Sequence, residues 1–201
     1  MIDETGFLWI LLTGLIYGII HSAFASLPVK NWMASQFGLG NPKLYRLFYV
    51  IQSTFFTIIY LALVLILPDR IIYIVNSPWL LVFLLIELGA AFCAYISLKE
   101  TGVFSFLGLE FLFSRESSPQ TQSLNTGGFY RYVRHPVYFF SLIFIWLLPI
   151  MSWNILAFNI GATAYLIIGS HYEERKLVQE FGQEYLDYQK QVPAFWPRLK
   201  F

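Results

Sequence analysis

Three uninterrupted apolar runs, residues 7–27, 47–67 and 79–98, are each about 20 residues long, the length a helix needs to cross a bilayer core. No soluble domain of this size can bury so many long runs at once. A breaker follows each of them: Pro28, then Pro68 with Asp69 and Arg70, then Lys99 with Glu100. A fourth block, Val137 to Ser170, is interrupted at Pro149, Ser152 and Asn154, so it reads as two shorter helices joined by a tight turn. The expected fold is therefore all-α: a multi-pass transmembrane protein of five spans, the last two a helical hairpin. Composition agrees, with 57% hydrophobic and 12% charged residues over 201 and a mean hydropathy of +0.60.

The distribution of charge says more than its total. Of the 13 Lys and Arg residues, all but Arg70 fall after span one, after span three or in the C-terminal tail. The positive-inside rule then predicts the N-terminus outside and the C-terminus in the cytoplasm, as an odd number of spans requires. A net charge of +1 supplies no field to recruit nucleic acid. The start Met1-Ile2-Asp3-Glu4 is acidic where a secretory signal is basic, so the first apolar segment is expected to be retained. Without internal repeats, residues 1–201 read as one domain. Cys93, the one cysteine, lies in an apolar run and reads as a small buried hydrophobe.

Two polar motifs flank the fourth block. The first, Gly127-Gly128-Phe129-Tyr130-Arg131-Tyr132-Val133-Arg134-His135-Pro136-Val137-Tyr138, leads into span four, with Pro136 suited to a first helical position and His135 at the cap. Read blandly, Arg131 and Arg134 are positive-inside anchors among interfacial tyrosines. The second, His171-Tyr172-Glu173-Glu174-Arg175-Lys176-Leu177, follows span five and continues through apolar or aromatic residues at 177, 181, 185, 188 and 192. That spacing predicts a cytoplasmic amphipathic helix leaving the membrane. Glu173 and Glu174 could be no more than a solvated acidic first turn. If spans four and five form a hairpin, however, both motifs emerge together, and two arginines, a histidine, two glutamates and several tyrosines converge on one interfacial pocket.

In order and separation, these motifs, with Phe181-Gly182-Gln183-Glu184-Tyr185, Tyr188 and Val192-Pro193, resemble the isoprenylcysteine carboxyl methyltransferase superfamily, which also holds phospholipid methyltransferases, methanethiol S-methyltransferases and NnrU-type proteins. The resemblance covers residues 127–197. His21-Ser22, Tyr45-Arg46-Leu47-Phe48-Tyr49, Ser53 and Phe106-Leu107-Gly108-Leu109 look closest to the methanethiol and NnrU-type branches, whereas Ser105 and Glu110-Phe111 depart from the methanethiol pattern. The resemblance implies an integral membrane methyltransferase using S-adenosyl-L-methionine, with residues 127–197 as its cofactor-binding part. Its acceptor would be a small or lipophilic thiol or a prenylcysteine carboxylate. The alternatives are an NnrU-type protein without turnover, or a phospholipid N-methyltransferase.

Such a donor carries a sulfonium, a carboxylate, an amine and a ribose diol, so its pocket needs carboxylate, cationic and aromatic groups together. Expected cofactor-binding residues are Tyr130, Arg131, His135, Pro136, Tyr138, Glu173, Glu174 and Tyr185, with Arg134 and Glu174 expected to be catalytic. Arg134 is expected to hold the acceptor as its anion. Phe104, Phe106, Leu109, Phe111 and Phe113 are candidates for an apolar entrance from the bilayer. No Gly-rich loop follows a strand, which excludes the soluble dinucleotide-type methyltransferase fold. His21, His135 and His171 show no metal-ligand spacing, so no metal is expected. Glu87, in the middle of span three, is the one feature favouring a transporter, and five spans without a repeat argue against it.

Overall fold

The computed structural model describes residues 4–100 and 124–197. It is mostly helical: α1 (Phe7–Ala25), α2 (Leu27–Phe37), α3 (Pro42–Ile66), α4 (Trp79–Glu100), α5 (Pro136–Trp146), α6 (Trp153–Phe181) and α7 (Gln183–Gln191). Two short strands, β1 (Ile71–Ile74) and β2 (Ile150–Ser152), form one sheet. The Val75 amide donates to the Pro149 carbonyl and the Trp153 amide to the Arg70 carbonyl, so the pair is antiparallel. This small ribbon is an addition to the mostly helical architecture that was expected. Ile71-Ile72-Tyr73-Ile74, released by Pro68 from the helix before it, consists of β-branched and aromatic residues that favour a pleated strand.

Among the described residues, four helices are long and apolar enough to cross a membrane: α1, α3, α4 and α6. The chain is an integral membrane protein on this evidence. Their outward faces are apolar; Leu85, Leu88 and Phe92 on α4 are each more than 60% exposed, which in water would be untenable over so large an area. Where five spans are expected, the fourth is the 11-residue α5, about 16 Å long and roughly half of a crossing. The expected phenylalanine-lined entrance, with Ser105 and Glu110, lies outside the described residues.

The chain divides into two compact units. The first holds α1 to α3 and the start of α6. Residues 10, 14, 17, 21 and 24 of α1, spaced four, three, four and three, put one face against an antiparallel α3. Ile10 packs in a core with Tyr60, Val64 and Ala157. The Tyr17 hydroxyl meets Thr57 Oγ1 at 2.8 Å. His21 lies between the Tyr49 hydroxyl (2.6 Å) and Ser53 Oγ (2.9 Å). Gly14 is required here, because a Cβ would collide with the Tyr60 hydroxyl. The last carbonyls of α3 have no helical N–H to accept from and need donors from elsewhere. Fully buried Asn154 supplies them, its Nδ2 facing the carbonyls of Val64, Leu67 and Pro68 at 3.2–3.3 Å.

The second unit holds α4, α5, the greater part of α6, and α7. α5 packs chiefly on α4, whose buried positions are Glu87, Ala90 and Ser97. Side-chain hydrogen bonds link α5 to α6 near each end, Tyr138 to Glu173 (2.8 Å) and Trp146 to Thr163 (2.9 Å). The amphipathic helix expected after span five begins as an unbroken continuation of α6. It breaks at Gly182, whose φ of 57° and ψ of −126° suit only glycine, and α7 resumes in a new direction.

Candidate functional site

The site is built where the start of α5, the end of α6 and the C-terminal segment meet within the second unit. Gly128, at φ 52°, opens a short 3-10 turn to Arg131; a Cβ there would strike the Glu100 carboxylate, which closes over it. The chain then turns through Tyr132 and bends at Arg134 to reach His135, the N-cap of α5, and Pro136 opens that helix where its missing N–H costs nothing. The amides of Arg134 and His135 donate to the carbonyls of Pro193 (2.9 Å) and Ala194 (3.1 Å). The Tyr188 hydroxyl donates to the Tyr130 carbonyl. The segment after α7 is thereby strapped along the Arg-His-Pro motif.

Glu174 lies at the centre. Its Oε1 accepts from Arg134 Nε (2.7 Å), faces Arg134 Nη2 (2.5 Å) and meets His135 Nε2 at 3.1 Å. Its Oε2 accepts from Gln189 Nε2 at 3.1 Å. Arg134 Nη1 donates to the carbonyls of Gln189 (3.2 Å) and Val192. This pair is nearly closed to solvent, with the Arg134 and Glu174 side chains 11% and 16% exposed. His135 is buried between the parallel ring of Tyr138, 5.3 Å away, and that of Phe195, 5.6 Å away.

Two groups of the cluster keep unused capacity. Glu173 is 46% exposed, accepting only from Tyr138 through Oε2, with His135 Nδ1 at 3.7 Å. Tyr185 is buried to 1%, and among the described residues its O–H finds no acceptor, the neighbouring Arg134 guanidinium being itself a donor. Burial, with the Glu174 carboxylate adding to it, pushes the Tyr185 phenol up to about 12, so the hydroxyl stays protonated. A buried O–H without an acceptor beside an ion cluster is a donor available to a ligand.

The structure thus brings together Arg134, His135, Tyr138, Glu173, Glu174 and Tyr185. Pro136 contributes backbone geometry and Tyr130 a carbonyl. Arg131 points elsewhere: its guanidinium bonds the Tyr132 hydroxyl at 2.7 Å and borders a cleft of about 480 Å³ also lined by Glu184, Asp187 and Tyr188. None of Arg134, His135, Tyr138, Glu173, Glu174 or Tyr185 lines that cleft, and the carboxylate cluster, with the unused Tyr185 O–H beside it, is the candidate site. Gln189, Phe195 and Glu100 belong to this frame and carry no sequence motif of their own.

A model of the phospholipid methyltransferase family matches residues 79–184, just over half of the chain and the stretch that holds Arg134, His135, Glu173 and Glu174. Methanethiol S-methyltransferase 2 of Bradyrhizobium diazoefficiens is 36% identical over 108 residues, 53% of this chain and 42% of that protein. Methanethiol S-methyltransferase of Pseudomonas deceptionensis is 38% identical over 86 residues, 43% of this chain and 33% of that protein. That of another Pseudomonas species is 29% identical over 192 residues, 91% of this chain and 70% of its own. The chain therefore spans less than half the length of the first two relatives. No solved structure matches it.

Proposed function

The chain belongs to the phospholipid methyltransferase family, and from that premise we propose that it is an S-adenosyl-L-methionine-dependent methyltransferase whose acceptor is a small thiol, as the names of its relatives suggest, or a lipophilic thiol or prenylcysteine. The observation that carries this reading is an outward carboxylate, Glu173, together with a buried hydroxyl that has no acceptor, Tyr185, beside the Arg134–Glu174–His135 cluster. These fit a donor with an amine, a carboxylate and a ribose diol. Glu173 accepts from the amine or a ribose hydroxyl, the Tyr185 hydroxyl donates to an acceptor atom of the ligand, and the rings of Tyr138 and Phe195 offer an apolar wall. When bound, the donor supplies an electrophilic methyl group on a sulfonium.

The residues of the chain then have three tasks: to align acceptor and methyl in line, to exclude water, and to favour the acceptor in its ionised form. Arg134 was the sequence candidate for holding that anion. Its guanidinium directs four N–H contacts to Glu174, Gln189 and Val192. Its role in this reading is therefore first to fix Glu174 and the C-terminal strap, with only a partly neutralised charge left for an acceptor thiolate. Arg134→Ala then lowers donor affinity and turnover together, whereas an anion-holding role alone lowers turnover at saturating donor.

The termini are proposed as N-terminus outside and C-terminus cytoplasmic, from the one-sided distribution of Lys and Arg. The test of function is transfer of a labelled methyl group by the purified protein in detergent or nanodiscs to a panel of methanethiol, a prenylcysteine and an aminophospholipid. Label in the thiol supports the reading. Label in the phospholipid alone moves the chain to the other branch of its family, and calorimetric titration showing no binding of donor or demethylated product removes the enzyme reading.

A further inference from the structure

We infer that Gln189 is a positioning residue of the proposed donor site: one amide side chain and its own carbonyl hold both members of the Arg134–Glu174 pair. The inference rests on the donor site proposed above. On α7, residues 185, 188 and 189 share a face by helical spacing, with Tyr185 and Tyr188 buried and Gln189 half-buried. Gln189 Nε2 reaches Glu174 Oε2 at 3.1 Å, and the Gln189 carbonyl accepts from Arg134 Nη1 at 3.2 Å.

The distribution of donors on Glu174 makes this contact decisive. Oε1 has three, Arg134 Nε, Arg134 Nη2 and His135 Nε2; Oε2 has Gln189. With Gln189 in place the carboxylate plane is pinned at both ends. Without it, Oε2 is a charged acceptor lacking a donor inside a nearly closed cluster, and the carboxylate is free to turn about its own bond. That turn breaks the alignment of Arg134 and His135, and with it the setting of Tyr138 and Glu173, which lean on the His135 ring.

An amide does this without adding charge. A carboxylate at 189 has the same shape but would face Glu174, with Glu173 nearby on α6, Arg134 and His135 on the motif, Tyr185 on its own helix, and Lys190 outward with Asp187. Ionised, it repels Glu174; protonated, its O–H replaces the amide N–H. Gln189→Glu is therefore both a disruption and its own rescue, selected by pH.

The experiment is calorimetric titration of S-adenosylhomocysteine, the demethylated donor, into the full-length protein in nanodiscs from pH 5.5 to 8.5, for wild type, Gln189→Glu and Gln189→Ala. Thermal melts of each variant confirm folding. The expected result is affinity about tenfold weaker for Gln189→Glu than for wild type at pH 8.5, converging to within about threefold at pH 5.5, and a pH-independent loss of about fivefold for Gln189→Ala, in keeping with the net worth of one ordinary hydrogen bond. A purely structural role lowers the melting temperature of both variants without a separation in pH profile. Wild-type binding with unaltered affinity and profile in both variants overturns the role of Gln189 alone. A wild-type protein that binds no S-adenosylhomocysteine overturns the donor site, and this role with it.

Discussion

Arg134, His135, Tyr138, Glu173 and Glu174 carry the argument at the scale of single residues, and each was legible in the sequence because charged and aromatic side chains stand out against an apolar chain. Their partition was not legible. Adjacent glutamates read alike, yet Glu174 is enclosed by Arg134, His135 and Gln189 whereas Glu173 stays half-exposed. Glu173→Ala is therefore expected to weaken donor binding about tenfold in calorimetry with little change in melting temperature; Glu174→Ala lowers both, because it leaves Arg134 unpaired in a closed site. Tyr185→Phe separates two roles more sharply. Deleting a buried hydroxyl whose proton has no acceptor costs little stability, so a loss of donor affinity in a variant that melts no lower assigns that hydroxyl to the ligand. Equal affinity would return Tyr185 to the core. Its phenol, raised from 10.0 to about 12, also fixes a sign. The folded state holds the proton more tightly, so its contribution to stability is complete below pH 10 and is lost as pH rises from 10 towards 12. Donor affinity measured from pH 7 to 9 should carry no step from this group. Gln189 was invisible in the sequence because an amide on a polar helix carries no motif; only its contact with Glu174 reveals it.

Elements were legible in proportion to their length. The long runs gave α1, α3 and α4 within a few residues, since helical hydrogen bonding in lipid leaves such a run little choice. The block from Val137 to Ser170 was legible as two helices with a break near Pro149, but not the 11-residue length of the first or the strand at its end. Leu147 and Leu148 continue the apolar run although the helix has stopped, and apolarity alone does not report where a helix ends. Gly182 was part of a motif whose geometry no spacing announces. With φ 57° and ψ −126°, Gly182→Ala is expected to cost about 1–3 kcal/mol. Because α7 presents Tyr185 and Gln189, the same variant should bind donor more weakly; a lower melting temperature with undiminished affinity would show that the direction of α7 is immaterial to the site. On the other unit, Asn154→Leu removes the donor shared by three carbonyls at the end of α3 and should lower the melting temperature without touching donor affinity.

For the molecule as a whole, membership of a methyltransferase family, the apolar helices and the polar cluster within the family-matched stretch point to one account: a membrane protein that brings a cationic methyl donor to an acceptor away from bulk water. The resemblance drawn from the Gly127–Tyr138 and Glu173–Tyr185 motifs leads to the same superfamily as the comparisons do, and of the methanethiol and NnrU-type branches that the features around His21, Tyr45 and Phe106 resemble, the relatives carry the name of the first. The acceptor was beyond reach of the motifs, because in the proposed reading they chiefly serve the donor. Orientation follows from charge: a reporter fused after Phe201 should face the cytoplasm, and an exterior reporter would contradict the placement of the site on that side. The most direct measurement of the central claim is methyl transfer itself, with purified protein, S-adenosyl-L-methionine labelled in its methyl group, and methanethiol. The account predicts labelled dimethyl sulfide from the wild type, and a rate at least about tenfold lower from Glu173→Ala. A wild-type protein that forms no labelled product from methanethiol, prenylcysteine or aminophospholipid, and binds no S-adenosylhomocysteine, contradicts it.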